Sequence, residues 1–242
     1  MPAIPAWPPE SGVRLFVTTR LGEDAEVRIE GAQAHYLINV MRLREGGRLK
    51  LFDDATGEWL AEAVAVGKRD VLLRALGHLR AREDAPDLWL AAAPIRRARY
   101  DWVAEKACEL GVARFVPVLT RRAVVDKVNA ERLRAHMIEA AEQCGRTALP
   151  TIDAPVALDR WLASLDDRPL YFADEEGGAP FAQAIRPGPA AILIGPEGGF
   201  DPEERAAIRA HPSAVAISLG PRILRADTAA VAAVALWMAL AI

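Results

Sequence analysis

The feature that most constrains this fold is a change of pattern near residue 80. Beyond it, apolar strand-like runs alternate with helical segments, from "DLWLAAAPI" through "AAILIG" to "AVAISLG". These runs are apolar throughout, which is typical of parallel strands buried between two layers of helices. The sequence therefore predicts an α/β domain built on a mainly parallel sheet over residues 81–242.

The first 80 residues follow a different pattern. Short β-like runs are separated by turn sequences such as "DDATG", and "AQAHYLINVMRL" is the one helical interruption. The runs are "VRLFVTTR", "GRLKLFD", "WLAEAVAV" and "DVLLRAL". This spacing indicates a small antiparallel β-barrel or sheet. We therefore expect two domains, residues 1–80 and 81–242.

Composition excludes several classes of protein. Cys108 and Cys144 lack a C-x-x-C spacing and are expected to be buried apolar residues. No histidine is assigned to a metal or to catalysis, because His35 and His136 have no ligand-like neighbours and the other two are expected in loops. The opening residues show no secretory signal, and the last apolar stretch falls short of the roughly 20 residues that span a bilayer. We expect a cytoplasmic protein without a metal or a membrane partner.

The net charge of −3 argues against indiscriminate nucleic-acid binding, because Lys and Arg contacts to phosphates supply most of that affinity. Its distribution is uneven, however: residues 94–122 contain seven Lys or Arg and three Asp or Glu. This segment indicates either a basic patch or simply a solvated helix entry.

Two glycine-bearing loops follow apolar strands, and ligands of such sheets bind beyond the carboxyl ends of the strands. The first loop, "GPEGG", leads into a helix start near Asp201, whose free N–H groups would suit an anion. However, Glu197 would repel phosphate, Pro196 lacks an N–H, and no phosphate-binding fingerprint is present. The ligand is expected to be zwitterionic or neutral. The alternative is that the glycines only turn the chain.

Taken together, "LIGPEGGFDPEE" and "LGPRILRADTA" closely resemble the paired signature of the SPOUT class of S-adenosylmethionine-dependent RNA methyltransferases. More narrowly, the chain resembles the RsmE family, which methylates N3 of a uridine in 16S ribosomal RNA of the small subunit. The resemblance extends over "HYLINVMRLREGGRLKLFD" and "EKACELGVARFVPVLTRR" and covers nearly the whole chain. It implies a PUA-like or OB-like RNA-binding barrel, an α/β domain with a deep trefoil knot, and a homodimer with active sites near the interface.

The resemblance also implies which residues enclose S-adenosylmethionine (SAM), the methyl donor. They come from the two glycine loops and the start of the last helix: Leu193, Gly195, Pro196, Gly198, Leu219, Gly220, Ile223, Leu224 and Thr228. For the apolar members, core packing is the alternative.

Asp227 is the main catalytic candidate. Methyl transfer to uracil N3 requires loss of a proton, so a carboxylate could serve as base or orient the imide. The family usually has Glu where Asp227 stands. The alternative is that Asp227 caps the last helix, a contribution of about 1 kcal/mol.

Several arginines are further candidates. Arg14 and Arg225 are expected to take part in catalysis, and Arg14, Arg42, Arg44 and Arg222 in RNA binding. Each could instead pair with a local acid or lie on a solvated surface.

An apolar stripe on the last helix is expected to hold the dimer; it comprises Val231, Val234, Trp237 and Leu240. Two rival functions stay open: a nucleotide-dependent α/β enzyme such as a dehydrogenase, and a non-catalytic RNA-binding protein. Within the SPOUT class, another ribosomal or transfer RNA nucleotide is the alternative target.

Overall fold

A computed structural model describes residues 12–241 except 124 and 126. The opening residues 1–11, whose sequence predicts no secretory signal, lie outside the described part. The chain divides into two compact units, Met1–Asp84 and Ala85–Ile242. Within the described ranges, no helix is both long and apolar enough to span a bilayer, and no group of three or more potential metal ligands occurs.

The N-terminal unit contains a five-stranded sheet with the order β1-β3-β4-β5-β2. The strands are β1 Arg14–Phe16, β2 Glu26–Ile29, β3 Arg48–Asp53, β4 Gly57–Val66 and β5 Val71–Arg80. Neighbours pair antiparallel except β1 and β3, which run parallel. The expectation of a wholly antiparallel sheet is therefore wrong at this edge, because β1 and β3 are joined by a long connection rather than a hairpin.

A helix connects β2 to β3. It begins as α1, Gly31–His35, and continues as a π-helical turn, Tyr36–Val40. Shortly after it, Arg42 adopts a φ of 53°, in the left-handed region that few arginines occupy. The predicted helical interruption is thus present but ends at Val40, two residues before this backbone reversal.

Two buried carboxylates stabilise the N-terminal sheet. Asp53 accepts hydrogen bonds from the backbone N–H groups of Leu21 at 2.7 Å and Ala55 at 3.1 Å. Burial alone would raise the pKa of Asp53, but these bonds and those from Thr56 outweigh it and lower the pKa. The pKa of Glu58 is likewise lowered, since bonds from two arginines outweigh its burial.

The C-terminal unit is built on a sheet in which every pair of neighbouring strands is parallel, with the order β11-β13-β10-β12-β6-β7-β8. A further short strand, β9, pairs with β7. The strands are β6 Leu88–Ala92, β7 Arg114–Leu119, β8 Thr151–Ile152, β9 Val156–Ala157, β10 Leu170–Ala173, β11 Ala179–Pro180, β12 Ala190–Ile194 and β13 Ala214–Ser218. All five residues of β12 are buried, so this strand is covered on both faces. The predicted α/β fold with a mainly parallel sheet is confirmed.

The described residues of this unit form the helices α2 Arg97–Glu109, α3 Ala130–Cys144, α4 Leu158–Leu162, α5 Phe181–Ala184, α6 Pro202–Ala210 and α7 Ala226–Leu240. The longer ones have recognisable ends. Asn129 caps α3 by accepting a hydrogen bond from the N–H of Arg132 at 2.9 Å, and Gly145 ends it with a φ of 85°.

Two expectations about buried residues need correction. Cys108 is buried, but Cys144 is exposed at the end of α3. On α7, Val234 and Trp237 are buried within a single chain, so they are not available to a second copy. The end of the helix remains open, where Leu240 is 51% exposed.

Candidate active site

A cleft opens beyond the carboxyl ends of three neighbouring strands of the C-terminal sheet. β10 lies between β12 and β13, so the loops that follow these strands meet at one edge. The cleft has a volume of about 470 Å³, within the range of small-molecule sites. Its walls come from residues 173–177, the first glycine loop (residues 195–200) and the second glycine loop (residues 219–225), with Arg205 from α6.

The first glycine loop is a tight turn. The N–H of Gly199 donates to the carbonyl oxygen of Pro196 at 2.9 Å, and Gly199 has a φ of 68°. A Cβ atom at Gly199 would lie 2.5 Å from the carboxylate of Glu175, a neighbouring wall residue. The backbone conformation therefore favours glycine here, whereas the Glu175 carboxylate is the end of a flexible side chain that can move away.

The helix start after this loop does not offer the free N–H groups that the sequence predicts. Asp201 accepts from the N–H of Glu203 at 3.0 Å, and Glu204 accepts from the N–H of Asp201 at 3.0 Å, which forms a capping box. Three carboxylates thus surround the start of α6. This end of the helix is closed to an anion.

The second glycine loop supplies an apolar wall. Gly220 has a φ of 125°, and nothing lies within 4 Å of where its Cβ would be. Ile223 is 91% exposed and lines the cleft together with Leu224. A large apolar side chain open to a concave site indicates an apolar group of a ligand.

Charges in the cleft are nearly balanced. Asp174, whose side chain is fully buried, pairs with Arg209 at 2.6 Å and with Arg205 at 3.2 Å. Arg205 also pairs with Glu175 and Glu176. The mixed carboxylates and guanidiniums suit a zwitterion better than a phosphate.

Two arginines of the second glycine loop also lie at the cleft. Arg222 and Arg225 line the cleft and have no ion-pair partner within the described parts of the chain. Their guanidinium groups are therefore open to a substrate.

Most of the predicted cofactor residues line the cleft, and three do not. Those at the cleft are Gly195, Pro196, Leu219, Gly220, Ile223 and Leu224. Leu193 is fully buried in the core, which corresponds to the packing alternative. Gly198 faces the loop after β7, and Thr228 is in the first turn of α7 beside Asp227. The strand-end residues 174–176 were missed, because the sequence carries no local sign that β10 lies between the two glycine-loop strands.

Gly195 lines the cleft, and its lack of a side chain also matters for packing beneath the loop. A Cβ added there would lie 3.1 Å from two ring atoms of Phe200, a core residue. Gly195 thus lets Phe200 pack beneath the loop.

Asp227 does not line the cleft. Its Oδ2 accepts from Nη1 of Arg99 on α2 at 3.2 Å, and its Oδ1 accepts from the N–H of Thr228 at 2.8 Å. Ala226, directly before it, and Ala229, two residues after it, do line the cleft. Asp227 therefore lies next to the site, fixed by a partner that sequence reasoning missed.

In the N-terminal unit, the three predicted arginines have two different environments. Arg14 is mostly buried, forms an ion pair with Glu58 and lies over the ring of Phe52 at 4.5 Å. This pairing gives Arg14 a structural role, and its roles in catalysis and RNA binding stay predictions. Arg42 and Arg44 are exposed and have no ion-pair partner among the residues that the structure describes.

Comparison with known proteins identifies the family. The model of the RNA methyltransferase domain matches residues 82–238, and that of the RNA methyltransferase PUA domain matches residues 29–76. The ribosomal RNA small subunit methyltransferase E of Rickettsia conorii is 30% identical over 227 residues, which cover 92% of this chain and 93% of that protein. The chain belongs to the ribosomal RNA small subunit methyltransferase E family. The resemblance seen in the sequence is thereby confirmed.

A further relative and two solved structures are also similar to this chain. The small subunit methyltransferase E of Bacillus subtilis is 28% identical, covering 83% of this chain and 85% of that protein. A Legionella pneumophila methyltransferase structure in complex with bound SAM is 29% identical, with a TM-score of 0.84 over 95% of this chain and 98% of that one. The methyltransferase E structure from Neisseria gonorrhoeae, 24% identical, shares the fold with a TM-score of 0.83 over 93% of this chain and 96% of that one.

Proposed function

We propose that this member of the methyltransferase E family transfers a methyl group from SAM to N3 of a uridine in 16S ribosomal RNA. The observation that carries the proposal is the cleft between the two glycine loops, in a chain of this family. Its near-neutral lining and its closed helix end suit SAM, which has a carboxylate, an ammonium and a sulfonium but no phosphate.

The residues present fit this cofactor, which supplies the electrophilic methyl group when bound. Ile223 and Leu224 form an apolar surface for the adenine ring. Glu175 and Glu176, at the end of β10, offer carboxylates to the hydroxyl and cationic groups. The tight turn at Gly199 keeps the opposite wall in place.

Catalysis in this proposal is positioning together with removal of the N3 proton. Oδ1 of Asp227 accepts from both the N–H and the hydroxyl of Thr228. Among the described residues Oδ2 accepts one hydrogen bond, from Arg99, and a carboxylate oxygen can accept two. Asp227 can therefore receive the proton once the uridine is bound. Arg225, which has no ion-pair partner among the described residues, lies at the cleft and stabilises the negative charge that develops on the uracil as the proton leaves.

The proposal extends to the two domains and to assembly. Residues 1–80 bind RNA with Arg42 and Arg44, Arg222 adds an RNA contact at the cleft, and residues 81–242 bind SAM and form a homodimer. Support for the dimer comes from exposed apolar side chains on two helices that pack together, Trp102 on α2 and Leu240 on α7.

The experiment is a transfer assay with the purified protein. SAM with a labelled methyl group is mixed with 16S ribosomal RNA or small subunits that lack the modification, and the RNA is digested to nucleosides. The expected product is labelled 3-methyluridine. Label in another nucleoside would assign a different target, and binding of NAD in place of SAM would support a dehydrogenase. RNA binding without transfer would support the non-catalytic alternative.

A further inference from the structure

The loop that follows β7 carries two adjacent arginines in contrasting environments. Arg121 donates from Nη1 to Asp201 at 2.9 Å and to Glu203 at 2.5 Å, so its charge is compensated. Arg122 donates from Nη1 to the carbonyl oxygen of Gly198 at 2.9 Å, and no carboxylate of the described residues pairs with it. The charge of Arg121 is thus neutralised, whereas the charge of Arg122 has no carboxylate partner in the part of the chain that the structure describes.

The hydrogen bond to Gly198 fixes Arg122 beside the cleft. Gly198 lies between Glu197 and Gly199, which both line the cleft, so the guanidinium is anchored to the cofactor loop itself. Arg122 is exposed, and a guanidinium has five N–H donors, of which this bond uses one. A fixed, exposed guanidinium with free forked donors matches a phosphate group.

We propose that Arg122 binds a backbone phosphate of the substrate RNA next to the target nucleotide. The inference rests on the proposed function, since it supposes that RNA approaches the cleft. Phosphate contacts fix the register of the RNA without reading its sequence. Arg222 and Arg225 reach the cleft from the second glycine loop, and Arg122 adds a contact from the loop after β7.

Two neighbouring substitutions make a matched test, because each removes one positive charge. Affinity for a 16S ribosomal RNA transcript is measured by filter binding at several salt concentrations, for Arg122→Gln, Arg122→Lys and Arg121→Gln. Arg122→Gln is expected to bind about tenfold more weakly. Its log–log salt dependence should lose about one unit of slope. Arg122→Lys should keep the slope, and Arg121→Gln should stay within about twofold of wild type.

Titration with SAM separates this role from a structural one. Arg122→Gln is expected to keep its affinity for SAM, because its bond to Gly198 lies outside the cleft. Two results would contradict the proposal and leave Arg122 only a structural role in holding the loop. One is an equal RNA affinity of Arg122→Gln and Arg121→Gln, and the other is a loss of SAM affinity in Arg122→Gln. Wild-type protein that binds the RNA but transfers no methyl group would overturn the proposed function and still leave the comparison of variants readable.

Discussion

Replacement of Gly199 by alanine tests the geometry of the first glycine loop. The backbone there has a φ of 68°, and placing an L-residue in this region costs about 1–2 kcal/mol. The new Cβ would also meet the carboxylate of Glu175 at 2.5 Å, but that group is the end of a flexible side chain and can move. The backbone conformation therefore determines how much the substitution lowers the free energy of unfolding.

Gly198→Ala is the matched control, because its Cβ would meet only side-chain atoms of Arg122 at 3.6 Å and 3.7 Å. Both substitutions restrict the unfolded chain equally, so this contribution cancels between them. The free energy of unfolding of Gly199→Ala should be about 1–2 kcal/mol lower than that of Gly198→Ala.

Urea unfolding measures this difference, and calorimetric titration with SAM measures its effect on binding. A Gly199→Ala loop that relaxes must return to the strained turn to bind, so part of the cost should appear as weaker affinity, up to about tenfold. Equal stability and equal affinity of the two variants would refute the argument that the turn requires glycine at this position.

Three further predictions concern other parts of the chain. Asp227→Asn should keep SAM affinity but lower the rate of single-turnover methylation by about 10²-fold, and this rate should recover as pH rises. Asp227→Glu should stay active, and a wild-type rate in the Asn variant would leave Asp227 only a structural role. The stability that Asp53 and Glu58 contribute should be fully present above their ordinary pKa values and lost as pH falls through their lowered folded pKa values. Asp53→Asn and Glu58→Gln should each flatten the acid limb of a plot of melting temperature against pH, and an unchanged limb would contradict the pKa directions. Trp102→Glu should convert a dimer into a monomer in sedimentation, whereas an unchanged dimer mass would exclude a Trp102–Leu240 interface.

The sequence predicted the elements that have a clear period or a continuous apolar run. The central strands β6, β10 and β12 and the long helices follow their expected segments, because buried strands and amphipathic helices leave patterns several residues long. The short strands β8, β9 and β11 were missed, since two residues cannot establish a period.

The site was predictable only where it is continuous in the chain. Both glycine loops were found because glycine, proline and a helix start follow one another locally. The bond between Arg99 and Asp227 joins residues 128 positions apart, and the wall at residues 174–176 depends on the order of strands in the sheet. Neither is encoded in a local pattern, so only the folded chain brings these groups to the cleft.

The measurement that tests the central claim most directly is mass-spectrometric mapping of methylated nucleosides in 16S ribosomal RNA from cells with and without the gene. Loss of 3-methyluridine at one position on deletion, with return on expression of the wild-type chain, is the predicted result. An unchanged content of 3-methyluridine, or loss of a methyl group from a ribose or another base, would contradict the assignment of uridine N3 as the target.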